Sequence, residues 1–539
     1  MNSTRFQLIR ILLFIAFLTY GALFIYKTSV IVEGKRYFCL MDDAMISMTY
    51  ARNFAHGNGL VWHPEGKKVE GYTNLLWASF MALLHLPPLD ISQVSLGIQI
   101  AGLIFLFINL VIVMKICDKF VEKYSPTSLA ALALTAFYLP LNNWGLQGME
   151  ASLLTLLLNL AVLATLTSLQ YRESSLAAFI LLGIGTLARL DMVVPYLAFL
   201  LFLLLLDTRN KNTVLIWSII ILFLSVGSQT IFRFFYYQDF LPNAYYLKMT
   251  GIPLKMRIIR GGIALLLFIW KFNWVLFFLP LLGLKHIRER KILLPFILIL
   301  FQLIYSVYAG GDAWEWWGGA NRFISVIMPL QFILLSLALF QVIDYAMNPA
   351  GKLNSPHPGL VNLVFGILIL GALINSNAIR GPEALEEWLL LKPPLHVEDH
   401  REKIEEALLI RKITHPEARV AVAWGGIPIY FSERQGVDLL GRNDRKIARE
   451  PMREISSFHQ FTPGYLKRDY AYSLGELKPD LVAELARSPE EAQPFLDEAY
   501  QPFITNRFHM YIRKDSPHIN WEEAAKRQGE KSELKPVGQ

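Results

Sequence analysis

Two adjacent carboxylates, Asp42 and Asp43, open the stretch MDDAMISMTYARNFAHGNGLVWHPEGKKVEGYTNLLW, residues 41–77. A carboxylate within hydrogen-bond reach of a hydroxyl can take its proton as a general base. Asp also favours helix N-termini, where it accepts from orphan backbone N–H groups. Both readings stand for this pair, and one acid can cap while the other works. A base of this kind needs cations elsewhere to stabilise the departing charge. Arg322, Lys248 and Arg189 are the side chains suited to phosphate oxygens. Their plainer alternatives are interfacial snorkelling for Arg322 and Lys248, and a structural ion pair for Arg189. Arg189 and Asp191 are two apart and do not face each other on a regular helix; they fit a helix break.

A second set of polar residues suits contacts to an acceptor molecule. It comprises Glu70, Tyr72 and Asn74 in VEGYTN, Glu150 at the mouth of an apolar run, and Asp312 with Trp314 in a Gly- and Trp-rich segment. A solvated turn, a favourable helix N-terminus and an interfacial aromatic belt are the competing explanations. If a divalent cation is bound, Asp42, Asp43 and His63 are the candidate ligands, although no metal-site spacing is present.

The elements that must position these residues are apolar. The 539 residues are 54% hydrophobic and only 18% charged, with a net charge of +7 and a mean hydropathy of +0.38. Soluble domains carry about 25% charged residues, so the deficit points to a polytopic membrane protein. Eleven candidate spans follow: 9–28, 92–114, 126–140, 149–170, 175–188, 192–206, 213–235, 261–283, 292–309, 322–346 and 358–377. Several are short, as in segments that line a cavity within a bundle. The first, after Arg5 and Arg10, lacks a small-x-small cleavage site and is read as an uncleaved helix.

The compact loops 115–123, 207–212 and 285–291 are basic or mixed and belong in the cytoplasm. Alternation then places the N-terminus in the cytoplasm, provided 73–90 lies in the interface rather than crossing. All the unusual polar residues named above fall on the opposite, extracytoplasmic side, where ionisable groups near spans are costly and usually functional. The excess of Lys and Arg reflects this topology, and no nucleic-acid motif is present. Cys39 and Cys117 fall on opposite sides and are not expected to pair.

From about residue 380 the chain is charged and has no span. ARVAVAW (418–424), GVDLLG (436–441), KPDLVAEL (478–485) and FHMYIRK (508–514) read as strands of an α/β domain, followed by a charged helix from Trp521 and a disordered end. The expected division is 1–379, a membrane domain with loop 29–75, and 380–539, an extracytoplasmic α/β domain.

The pattern DD-x-x-I-S-x-x-Y-A-R-N-x-x-x-G-x-G-L-V-W-x-P-x-G-x-x-V-E-G-Y-T-N resembles membrane glycosyltransferases of the GT-C type. It is most similar to the subgroup with the mycobacterial terminal arabinofuranosyltransferase. GLQGMEASLL (145–154), LARLDM (187–192), YYQDFLPNAYYLK (236–248), GGD (310–312), NRF (321–323) and GGIPIYFSERQGVDLLGRND (425–444) resemble further family segments in the same order. Departures are Leu190, where many relatives carry Pro, and the Trp-rich WEWWGGANR (314–322).

The resemblance implies a GT-C fold and inverting transfer of a sugar from a polyprenyl-phosphate donor. The acceptor would be a cell-envelope glycan or lipid at the periplasmic face of a bacterial inner membrane. It also implies the acid pair as the catalytic site, with Asp43 the base. It does not fix the sugar. A protein O-mannosyltransferase and a flippase of lipid-linked sugars are the alternatives, the latter opposed by the lack of internal repeats.

Overall fold

The computed structural model describes residues 3–171, 175–206, 211–286, 290–315, 321–347, 358–379, 381–394, 397–455 and 457–528. In lipid a backbone can bond only to itself, and helices meet that demand within one segment. Among the described residues seven helices are long and apolar enough to span: Ser3–Thr28, Val94–Cys117, Ala151–Tyr171, Lys211–Tyr237, Arg290–Ala309, Met328–Met347 and Gly359–Asn377. The pair Leu254–Lys271 and Trp274–Leu282 adds an eighth if its halves form one span. Shorter apolar helices cover Pro126–Ala136, Leu176–Ala188 and Leu190–Leu206. Each of the eleven expected segments coincides with one of these. The chain is a polytopic helical membrane protein with an α/β unit towards its C-terminus.

Two expected spans differ in detail. Segment 261–283 is not continuous: its halves meet at 102°. Asn273 adopts a positive φ of 75° there and caps the second half by accepting from the Val275 N–H. Segment 322–346 starts late. Asn321 accepts from the N–H groups of Phe323 and Ile324, which makes Arg322–Ser325 a separate turn before the Met328 helix. That break takes Arg322 out of the bilayer helix.

The loop after the first helix begins with an antiparallel hairpin of β1 (Val30–Val32) and β2 (Lys35–Tyr37). The Asp42–Ala55 helix follows, then the nine-residue helix Leu75–Leu83. Nine residues rise about 14 Å, less than half of a ~30 Å hydrocarbon core. This helix is too short to cross by itself, which agrees with 73–90 lying in the interface.

The α/β unit contains β3 (Arg419–Val422), β4 (Gln435–Asp438), β5 (Leu481–Val482), β6 (Tyr500–Ile504) and β7 (His509–Arg513) in the order β4-β3-β5-β7-β6. β3 is parallel to β4 and β5; β7 is antiparallel to β5 and β6. β6 is absent from the sequence reading. It contains Pro502, which argues against a central strand and is tolerated because β6 lies at the sheet edge. Ile410 and Ile413 of the Val397–Ile413 helix pack with Val420, Val422, Leu481 and Ile512. The charged helix from Trp521 is present as Trp521–Arg527; the expected disordered end, 529–539, lies outside the described residues. Both cysteines are free and buried.

One apolar cluster runs from Trp77 and Met81 through Leu40 to Ile427, Tyr430 and Phe431. It joins the α/β unit to the first loop, and the site lies at that junction.

Candidate active site

The N-cap of the Asp42–Ala55 helix is Met41, with no side-chain cap bond. Asp42 instead caps a different helix. Its buried Oδ1 accepts from the N–H of Ile427 at 2.9 Å and of Gly426 at 3.2 Å, at the start of the Ile427–Ser432 helix. Only glycine fits at 426, because a Cβ there would lie 2.0 Å from the Asp42 carbonyl oxygen. Asp43 meets two guanidinium groups, Arg442 at 3.2 Å and Arg322 at 3.5 Å.

Each guanidinium is held in place. Arg322 donates its backbone N–H to the Asp312 carboxylate at 3.1 Å and pairs with it through Nε at 3.2 Å. Asp312 is kept by Arg260, which is fully buried and donates to the carbonyls of Gly310 at 2.6 Å and Asp312 at 3.0 Å. Arg260 also pairs with Glu315 at 2.5 Å. Burial pushes the Glu315 carboxyl up to about 7 against the pull of Arg260. The Trp314 side chain, Trp316 and Trp317 lie outside the described residues. Arg442 follows Gly441, whose φ of 80° turns the chain, and it stacks on the Tyr465 ring at 4.5 Å. Asn243 donates to the carbonyls of Gly441 and Arg442 at 2.9 Å, so the loop that carries Lys248 is tied to this turn.

Lys248, in the short helix Asn243–Met249, is half-buried and forms no hydrogen bond or ion pair among the described residues. Burial, reinforced by nearby Arg322, pushes its ammonium down to about 8. It lines a cavity of about 440 Å³ together with Arg189, Asp191, Asp312 and Arg322, and with apolar and aromatic residues that include Val193, Val194, Tyr305 and Tyr308. A smaller cavity of about 160 Å³ has Trp424, Tyr465 and Arg487 in its wall, and Ala313 lines both. Asp43 lines neither cavity, but its partners relate it to both: Arg322 belongs to the wall of the larger, and Arg442 rests on a ring in the wall of the smaller.

The other expected residues are placed around this centre. Backbone at Arg189 is extended, with φ −164° and ψ 126°. This break lets Arg189 pair with Asp191 at 2.9 Å, as a regular helix would not, and with Glu150 at 2.8 Å. Asn74 donates to Glu150 at 2.9 Å and accepts from Ser47 at 3.0 Å. Tyr72 shares a hydroxyl contact of 3.1 Å with Tyr237. The Glu70 carboxylate is committed to buried Arg233 at 2.6 Å. Glu70, Tyr72, Asn74 and Glu150 do not line either cavity; they brace its surroundings.

The conditional metal ligands Asp42, Asp43 and His63 are not gathered into one cluster among the described residues. His63 packs beside Trp62 and against Gly66. Among the described residues no three His, Cys, Asp or Glu side chains converge to hold an ion. Among the described residues Arg322 and Arg442 pair with Asp43, and Lys248 lies near enough to feel its charge.

Residues 395–526 match a family described as a domain of unknown function, DUF8728. No curated protein matches the chain. Among solved structures, apo ArnT from Cupriavidus metallidurans aligns over 93% of this chain and 97% of its own, at 14% identity and a TM-score of 0.54. The same enzyme bound to undecaprenyl phosphate aligns over the same shares, at 13% identity and a TM-score of 0.55. The apo oligosaccharyltransferase of Archaeoglobus fulgidus aligns over 96% of this chain and 75% of its own, at 11% identity and a TM-score of 0.56. The fold is GT-C.

Within this GT-C architecture, sequence reasoning missed Arg442, Tyr465 and the cavity-lining Thr73 and Tyr305. Arg442 stands in the GRND segment directly after a glycine, a cation at a turn, and that was a usable signal. Thr73 sits inside VEGYTN but attracts no attention beside Glu70. Nothing local distinguishes Tyr305 or Tyr465 from other interfacial or core tyrosines.

Proposed function

We propose that the chain is an inverting glycosyltransferase that moves a sugar from a polyprenyl-phosphate donor to a glycan or lipid acceptor at the outer face of the membrane. The observation that carries this reading is the carboxylate of Asp43 held between Arg322 and Arg442, beside a cavity lined with cations and apolar side chains. A phosphate with a lipid tail needs that combination of charge and apolar wall. Solved structures of the same fold hold such lipids: ArnT with undecaprenyl phosphate, and the archaeal AglB with a dolichol-phosphate and an inhibitory peptide.

In this mechanism the donor phosphate lies against Arg322 and Lys248, with Arg189 held nearby through Glu150 and Asp191. The acceptor hydroxyl hydrogen-bonds to Asp43. Its oxygen attacks the anomeric carbon while the bond from that carbon to the phosphate oxygen breaks. The proton passes to Asp43, the polyprenyl phosphate leaves, and the configuration inverts. Positioning and charge stabilisation lower most of the barrier, and the base contributes a factor of about 10²–10⁴. The proposed setting is a bacterial inner membrane with a cytoplasmic N-terminus. The membrane domain would comprise 1–379 and the outer domain 380–539.

The test is incubation of purified protein with a panel of polyprenyl-phosphate sugars, a pentofuranosyl donor first, and analysis for a new glycosidic bond. Asp43→Asn should slow bond formation by about 10²–10⁴ and retain donor binding. Movement of lipid-linked sugar across a bilayer with no new bond from any donor would replace this reading with a flippase.

A further inference from the structure

The smaller cavity has no part in the steps above. In the order β4-β3-β5, the chain leaves β3 for a neighbour on one side and then crosses to a neighbour on the other. The carboxyl end of β3 is thus a topological switch point, where open α/β sheets form their ligand crevices. The cavity lies there. Ala423 and Trp424 follow β3, Leu440 follows β4, and Leu485, Ala486 and Arg487 follow β5.

We propose that this cavity is a subsite for a single terminal sugar ring of a glycan acceptor. Its volume of about 160 Å³ is well below the ~300 Å³ at which pockets for drug-sized molecules begin. That volume matches one ring better than a disaccharide, a folded lipid chain or a peptide segment. The wall suits a sugar, which has one apolar face and a rim of hydroxyls. Trp424 and Tyr465 stand with ring centroids 5.9 Å apart and planes at 60°, forming an aromatic corner. Lys403 lies 3.7 Å from the Trp424 ring centre and Arg442 lies 4.5 Å from that of Tyr465, so both rings are fixed before a ligand arrives. At the rim Arg487 is anchored by donating to the Gln460 carbonyl at 2.7 Å and to the Thr462 hydroxyl at 3.3 Å. The subsite's position gives it purpose. Ala313 is common to both cavities, and Tyr465 carries the Arg442 that pairs with Asp43. A ring on the aromatic corner would lie against Tyr465, one arginine away from the base.

The role as acceptor subsite rests on the transferase reading; sugar binding by the cavity does not, and the experiment separates them. Full-length protein in detergent is titrated with methyl hexopyranosides and methyl pentofuranosides. In parallel, donor hydrolysis and transfer to the corresponding free-ended glycans are followed. At least one glycoside should bind. Trp424→Ala should weaken that binding, and raise the acceptor KM, by about tenfold or more. Donor hydrolysis and polyprenyl-phosphate affinity should not change. Ala486→Trp, which fills the cavity, should act in the same direction, with its melting temperature checked against the parent. As a third reading, the glycoside should slow maleimide labelling of Arg487→Cys at the mouth. Binding without transfer from any donor would sink the transferase reading and leave the subsite. Transfer with an acceptor KM unmoved by Trp424→Ala would sink the subsite and leave the transferase. No glycoside binding, or binding unaffected by either cavity variant, would also overturn the subsite.

Discussion

Asp42 and Asp43 carry the same carboxylate one position apart, and their surroundings divide them. Asp42 accepts through Oδ1 from two backbone N–H groups of the Ile427 helix, with its Oδ2 3.9 Å from Arg442, whereas Asp43 meets Arg442 at 3.2 Å and Arg322 at 3.5 Å. Asp42→Ala should lower stability by about 1 kcal/mol, the usual worth of a cap, read as a lower melting temperature with catalysis retained in the folded fraction. Asp43→Asn should lower the transfer rate by about 10²–10⁴ with donor affinity and melting temperature retained. Lys248 gives a pH signature. Its pKa is pushed down to about 8, so the free protein loses this positive charge as pH rises through 8. Donor phosphate favours the protonated form, so affinity should fall above pH 8, approaching tenfold per unit. Lys248→Arg keeps its charge and should flatten that slope in a donor titration across pH 7–10. An equal slope in both proteins would remove Lys248 from the phosphate site.

At the scale of elements, small irregularities deliver the side chains. The extended residue at 189, the Asn273 bend and the Asn321-capped turn each interrupt an apolar run, and the last two runs read as continuous from composition alone. The sequence reading found the break at 189 because two charges within an apolar run signal it. It missed the 102° bend because a single Asn in an apolar segment carries little weight until its positive φ is seen. Glu70 shows the reverse case. Its motif marked it as a substrate contact, whereas its carboxylate binds Arg233, which arrives from the Lys211–Tyr237 helix. Removing one member of a buried pair strands the other's charge, so Glu70→Ala should cost about 3–5 kcal/mol. A Glu70→Gln, Arg233→Met double variant should recover part of that in thermal denaturation. An unchanged melting temperature for Glu70→Ala would return Glu70 to the pool of functional candidates.

At the scale of the whole molecule, the Asp42 bonds and the shared apolar cluster make the first loop and the α/β unit one face. Whichever side of the membrane holds one holds the other. Cys39 and Cys117 are buried, so a Glu490→Cys variant offers a clean label at an exposed position. An impermeant maleimide should react with it from outside intact cells. Reaction only after the cytosol is opened would carry Asp43 to the wrong side for a periplasmic reaction.

The sequence by itself determined the helical membrane class, the positions of the eleven apolar segments, and the strands β3, β4, β5 and β7. Lipid leaves a backbone almost no alternative to the helix, and strand periodicity is local, so both are written in neighbouring residues. Tertiary structure alone decided that Asp42 caps a helix while Asp43 faces two arginines, that Tyr465 lies under one of those arginines, and that Glu70 pairs with Arg233. Those outcomes depend on contacts between residues far apart in the chain, 385 positions for Asp42 and Ile427. Charge pairing and capping are settled by which groups arrive together once water and lipid are excluded, and spacing along the chain does not encode that.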